Sequence, residues 1–268
     1  MFSILRMELY RMVRSKSVYI GFGILSAISI LAFLLTFLLT TPKGQEAAVK
    51  MGMLALSEME EGSLMLKHTD LLEIFREIGM DGGFFGCMTG ILTSLFLCGD
   101  FQNGFIKNIM TQYRERSKYV AGKLAAMGIL NFVFLAAGFL FDFLLNVLFS
   151  NMFQATAWNR ILFYMAWAWL VSTAFSALII LICVLTRSLA AGVLASVLLG
   201  GGMVVSLLAS LMSLFHANGW LSYTLYFNMS NGPSACSGPG DLRVFAVGLV
   251  FLCVYFGAAV YTIRRQDI

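Results

Sequence analysis

A single acidic residue stands inside an otherwise apolar run: Asp142, in the stretch FLFDFLLN. A carboxylate within a membrane-crossing segment is expensive, so by default it is a functional candidate. Its chemistry suits binding a cation, relaying a proton or contacting a substrate. Protonated, or hydrogen-bonded to a neighbour, the same group would fix helix packing instead, and both readings stand. Asn146 lies one turn on, and Asn131 elsewhere on the same segment. No catalytic company surrounds Asp142. The two histidines, His68 and His216, fall in loop segments, and none of HExxH, GxSxG or GxxxxGK[ST] occurs. Cys87, Cys98, Cys183 and Cys253 lie in apolar runs and Cys236 in a polar loop. With no CxxC pair, neither a zinc site nor a redox motif is supported. The expectation is a chain that is not an enzyme and holds no metal or other cofactor.

The elements that would position Asp142 follow from composition. Hydrophobic residues make up 59% of the 268 and charged residues 12%, against about 25% charged in an average soluble domain. A span needs roughly 20 mostly apolar residues. Six segments meet that length, at about 17–41, 82–99, 124–150, 161–185, 189–215 and 242–263. The expected fold is all-α: a polytopic membrane protein with six transmembrane helices in one domain, residues 1–268. Gly82, Gly86 and Gly90 recur every fourth residue, a spacing that admits a close helix neighbour without saying which. Gly200-Gly201-Gly202 marks either a bend or ordinary close packing within the fifth span.

Orientation comes from the basic residues. Arg6 to Lys16, Lys107 to Lys123, Arg187 and the pair Arg264-Arg265 place twelve of the 18 Lys and Arg on one side, which the positive-inside rule makes cytoplasmic. Both termini are therefore expected inside, in a multi-pass protein of the cell membrane. Residues 42–80, rich in Glu, form an extracytoplasmic insertion, and residues 216–241 a second outward segment. Residues 1–16 read as an interfacial helix, with Phe2, Leu5, Leu9, Met12 and Val13 on one face and a cationic flank.

Between the second and third spans, GDFQNGFIKNIMTQYRERSKYVAGK runs from Gly99 to Lys123. Phe101, Phe105, Ile106, Ile109 and Met110 repeat at the spacing of one helical face. A connection between spans needs only a few residues, and here more than twenty are used. Two readings follow: a helix resting on anionic lipid, or one docking into a cytosolic partner.

That stretch resembles the first cytoplasmic loop of type-2 ABC exporter permeases. Asp100, Gly104, Lys107, Ile109 and Met110, Arg114 or Arg116, and Lys123 occupy that family's places in order, while Gln112-Tyr113 stand where it often has proline. The resemblance implies a permease subunit with a cytoplasmic coupling loop at 100–123. Its ATPase-coupling residues would be Phe101, Gly104, Phe105, Lys107, Ile109 and Met110, with Asp142 a candidate for the substrate pathway. It implies two separately made cytosolic ATP-binding subunits, which hold ATP and Mg, and a second permease subunit, identical or homologous. The acidic outer insertion resembles permeases paired with bacteriocin or lantibiotic immunity ATPases. The substrate is then an amphipathic antimicrobial peptide or another hydrophobic compound, exported across a bacterial plasma membrane; lipid is a partner and nucleic acid is not. A secondary transporter or channel using Asp142, and a membrane anchor or assembly protein without flux, are the competing readings.

Overall fold

The computed structural model describes residues 2–40, 69–104, 106, 116–149, 152–214, 223–236 and 238–265. Among these, the apolar segments are all helical, as hydrocarbon demands: a helix satisfies its own backbone where no water can. A short helix α1 (Phe2–Arg14) precedes the first long one, α2 (Lys16–Thr40). At the opposite end of the bundle, α3 (Leu71–Arg76) runs into a wider turn at Glu77–Asp81. Then come α4 (Phe84–Gln102), α5 (Arg116–Leu148) and α6 (Trp158–Thr186). A broken pair follows, α7 (Leu189–Gly200) and α8 (Met203–Leu214), and after the short α9 (Leu225–Ser230) the last described helix is α10 (Arg243–Arg265).

Among the described residues, five helices are long and apolar enough to cross a membrane, and the α7–α8 pair, bent by 53°, makes a sixth when taken as one span. The fifth predicted span is therefore not straight. Its bend sits at the glycine triplet, where Gly202 takes a left-handed φ of 74° and the Tyr226 ring occupies the space a Cβ would need.

Helix α6 is the centre of the bundle, touching α4, α5, α7 and α10. Trp167, Ala168, Val171, Ala174, Ile179, Ile180 and Cys183 on it are fully or almost fully buried. The glycine ladder on α4 meets α7, which runs antiparallel to it. A Cβ on Gly90 would lie 2.7 Å from Ser196, and one on Gly200 would lie 2.7 Å from the Cys87 nitrogen. Small residues let the two backbones touch, which is what drives association in lipid. Gly82, expected in the ladder, lies outside it; Gly83, at φ 67°, packs against Gly200 and Gly201 instead. Hydroxyls along the seam bond backward on their own helices: Thr93 donates to the Thr89 carbonyl, Ser94 to Gly90 and Ser196 to Gly192. The seam therefore presents no unmet polar group from these side chains.

Candidate functional site

The end of the bundle where α1 meets the start of α5 holds a dense arrangement of buried charges. Helix α1 lies across α5 at Gly122, where a Cβ would come within 2.8 Å of Ile4. That approach buries Ile4, Glu8 and Met12, spaced four apart on α1. Of the apolar face expected for this helix, Met12 is buried and Leu5 and Leu9 half-buried, while Val13 is 65% exposed. The protein-facing stripe is turned toward Glu8.

Glu8 enters a closed network. Lys123 Nζ donates to Glu8 Oε2 at 2.7 Å and to the Phe96 carbonyl oxygen at 3.0 Å, and forms an ion pair with Asp100 Oδ2 at 2.7 Å. Tyr119 donates its hydroxyl proton to Asp100 Oδ2 at 2.7 Å. Arg11 closes the ring, 2.8 Å from Asp100 Oδ1 and 3.3 Å from Glu8 Oε1; the contact to Oδ1 is an ion pair rather than an aligned hydrogen bond. Two carboxylates and two cations leave no net charge, which is what makes burial at this depth tolerable. Burial opposes the charge on Arg11, but its close contact with Asp100 and the charges of Asp100 and Glu8 outweigh that, and its pKa lies above the ordinary value.

The network's position gives it mechanical meaning. Asp100 is two residues from the end of α4, and Tyr119 and Lys123 are in the first two turns of α5. Both roots of the 103–115 connection are thus tied to α1 and to each other. Phe101 and Gln102 complete α4 rather than opening a separate helix, so the helical spacing expected from Phe101 does not run unbroken. Asn103 N–H bonds the Gly99 carbonyl, and Gly104, at φ 67° with open space around it, terminates the helix. Phe101 packs against the main core, and Ile106 is buried within it. Phe105, Lys107, Ile109 and Met110 lie outside the described residues, as do His68, His216 and residues 41–68.

Asp142 is remote from this network. It is fully buried on α5, six residues and about 9 Å before the helix ends at Leu148. The Ser29 hydroxyl of α2 lies against it, yet neither carboxylate oxygen finds a well-aligned hydrogen bond. Asn146 is not its partner: that amide bonds the Phe153 backbone, accepting from its N–H at 2.9 Å and donating to its carbonyl at 3.2 Å. Asn131 donates to Ser176 at 3.0 Å and ties α5 to α6.

At the same end of the bundle as α3, a second set of charges joins three segments. Arg160, at the start of α6, pairs with Asp70, lies 3.7 Å from Glu73 on α3, and reaches Ser234 beyond α9 at 3.5 Å. Trp167 donates its indole proton to the Pro233 carbonyl at 3.0 Å. Arg76 Nε is 3.4 Å from Asp81. Burial pushes the Asp81 carboxyl above its ordinary pKa, partly opposed by Arg76. No three His, Cys, Asp or Glu residues converge as a metal site among the described residues.

Sequence reasoning singled out Asp100 and Lys123 as places in a pattern but missed Glu8. The available signal was a lone acid four residues from both Ile4 and Met12, in a helix otherwise rich in cations.

A family model described as ABC-2 family transporter protein matches residues 4–201. No curated protein and no solved structure matches the chain. The match spans both the buried network and the glycine seam. The chain belongs to that family, and is a multi-pass membrane permease component of an ABC transporter.

Proposed function

From that membership we propose that the chain is the permease of an ATP-driven exporter moving an amphipathic peptide or hydrophobic compound out of the cell or its membrane. Residues 100–123 face the cytosol, with both termini, and dock on one of two separate ATP-binding subunits that supply ATP and Mg. A second permease subunit, identical or homologous, completes the route in a bacterial plasma membrane. The observation that carries this reading is the buried Glu8–Arg11–Asp100–Lys123 network at both roots of the loop. A push on the loop cannot be absorbed by sliding α4 against α5, because Lys123 and Asp100 hold them together and Glu8 adds α1. The displacement passes into the spans as a rigid-body motion.

Replacing Phe105 and Ile109 with Asp tests the docking. Each places a charge in the proposed contact, and a buried unpaired charge costs several kcal/mol. Co-purification with the ATP-binding subunit and substrate-stimulated hydrolysis should fall together while the permease still inserts. Undiminished recruitment and hydrolysis would refute the reading. The buried Asp142, without an aligned partner, supports a second reading as a gradient-driven transporter. That reading requires flux to survive removal of the ATP-binding subunit.

A further inference from the structure

A groove of about 350 Å³ opens on the side of the bundle between α5, α6 and α10. Ala121, Ala125 and Gly128 form its floor along α5, with Trp169 and Thr173 of α6 and Phe256 of α10 among its walls. The small Ala121, Ala125 and Gly128 leave room there, flanked on α5 by Leu124 and Ile129. Its polar atoms are already satisfied. Trp169 donates its indole proton to the Gly128 carbonyl at 2.7 Å, and Thr173 donates to the Trp169 carbonyl at 2.7 Å. A cleft with no polar group left to satisfy favours hydrocarbon over a polar ligand.

Its length and flanks narrow the choice further. From Ala121 to Ile129 is eight residues, about 12 Å of helix, close to the roughly 15 Å of one leaflet's hydrocarbon. Lys118, exposed, lies one turn before Ala121, on the same face of α5. Helix α10 runs antiparallel to α5, so its exposed Arg264 lies toward the same end of the bundle as Lys118. Two cations thus stand at the basic end toward which the groove runs. An acyl chain in the cleft would hold its headgroup beside them.

We propose that this groove is a specific site for one acyl chain of an anionic phospholipid, its phosphate held by Lys118 and Arg264. Lipid held there fills the cleft beside α5 and α10, two helices that carry α6 between them. Its occupancy therefore bears on how the spans pack.

Trp169, 41% exposed and fixed by its own hydrogen bond, is a built-in reporter. The full chain with Trp158, Trp167 and Trp220 replaced by Phe is reconstituted with phosphatidylglycerol or phosphatidylcholine carrying brominated chains. Brominated phosphatidylglycerol should quench Trp169 at several-fold lower mole fraction. Ala125→Phe, which fills the groove from a half-buried position, should abolish the difference. Lys118→Gln and Arg264→Gln should each lower the preference by about fivefold, the worth of one basic residue at an anionic surface. Trp167 is buried, so if the single-tryptophan chain does not fold, lipid retained through detergent purification is measured by mass spectrometry. The chain with its tryptophans intact is then compared with its Ala125→Phe variant. Equal quenching by the two lipids, or equal lipid retention in the Ala125→Phe variant, would overturn the proposal and leave only a bulk lipid annulus.

Discussion

The two ends of the bundle use the same chemistry to opposite effect. At the basic end, the side chains of Glu8 and Asp100 are 0% exposed and that of Lys123 is 1% exposed, held by contacts of 2.7 Å. At the other end, the side chains of Arg160, Asp70 and Glu73 are 28%, 19% and 39% exposed. A buried pair cannot let go cheaply, because each partner left behind is an uncompensated charge in a low dielectric. A half-exposed pair exchanges its contacts for water at little cost and is weakened by salt. The first arrangement behaves as a strut and the second as a latch. The strut joins elements that must move together, whereas the latch joins α3, α6 and the segment after α9, which can separate.

The largest effect should come from breaking the strut. Lys123→Met leaves Glu8 and Asp100 buried together, and should lower stability by about 3–5 kcal/mol, read as thermal unfolding in detergent. Adding Glu8→Gln to Lys123→Met should recover part of that loss, since one of the stranded charges is gone. A loss below about 1 kcal/mol from Lys123→Met alone would place the strut in the same class as the latch.

Arg160→Ala should cost about 1 kcal/mol or less. Hydrogen exchange sharpens the contrast within the unaltered protein. The Leu71 amide, which bonds the Gln154 carbonyl at 3.2 Å beside this latch, should exchange faster as salt rises. Amides from Tyr119 to Lys123 should not respond.

A smaller effect belongs to pH. Burial raises the Asp81 carboxyl above its ordinary value, so between the two values the folded state binds more proton than the unfolded chain. Stability from this group is complete below the ordinary Asp range, near about pH 4, and is lost as pH rises through the raised value. Asp81→Asn should flatten the fall in melting temperature over that window. An unchanged slope would remove Asp81 from the account of the latch end.

Smallest of all should be Asp142→Asn. Among the described residues no cation lies beside it and Ser29 faces it, so the group gains little from charge, and the amide keeps its shape and hydrogen-bonding capacity. Folding and flux should be nearly unchanged. A well-folded variant without flux would make Asp142 part of the transport route rather than a packing group.

How far the sequence could be read depended on the range of the physics involved. Membrane spans are a local property, set by the transfer of about 20 neighbouring residues into hydrocarbon. The five unbroken helices and the bent pair accordingly lie close to the segments read from hydropathy. The ordered combination of Asp100, Gly104, Lys107, Ile109-Met110, Arg114 or Arg116, and Lys123 suggested the family. What a close approach or a buried charge requires is supplied by distant parts of the chain. The ladder on α4 announced a close neighbour, but only packing made that neighbour α7 and replaced Gly82 with Gly83. The triplet at Gly200–Gly202 left a bend and close packing open, and the Tyr226 ring and the 53° break show both features in one place.

Glu8 marks the boundary most clearly. In sequence it is one acid among interfacial cations, and an amphipathic pattern alone turns Leu5, Leu9 and Val13 toward the apolar side. Helix α1 rotates instead to bury Glu8, because Lys123, 115 positions away, donates a hydrogen bond to its carboxylate there. Residue types determined by themselves that this chain is a bundle of membrane helices with one basic end. Which charges meet inside that bundle was decided by tertiary structure alone, since the energy of an ion pair depends on the distance and burial of partners that local sequence does not encode.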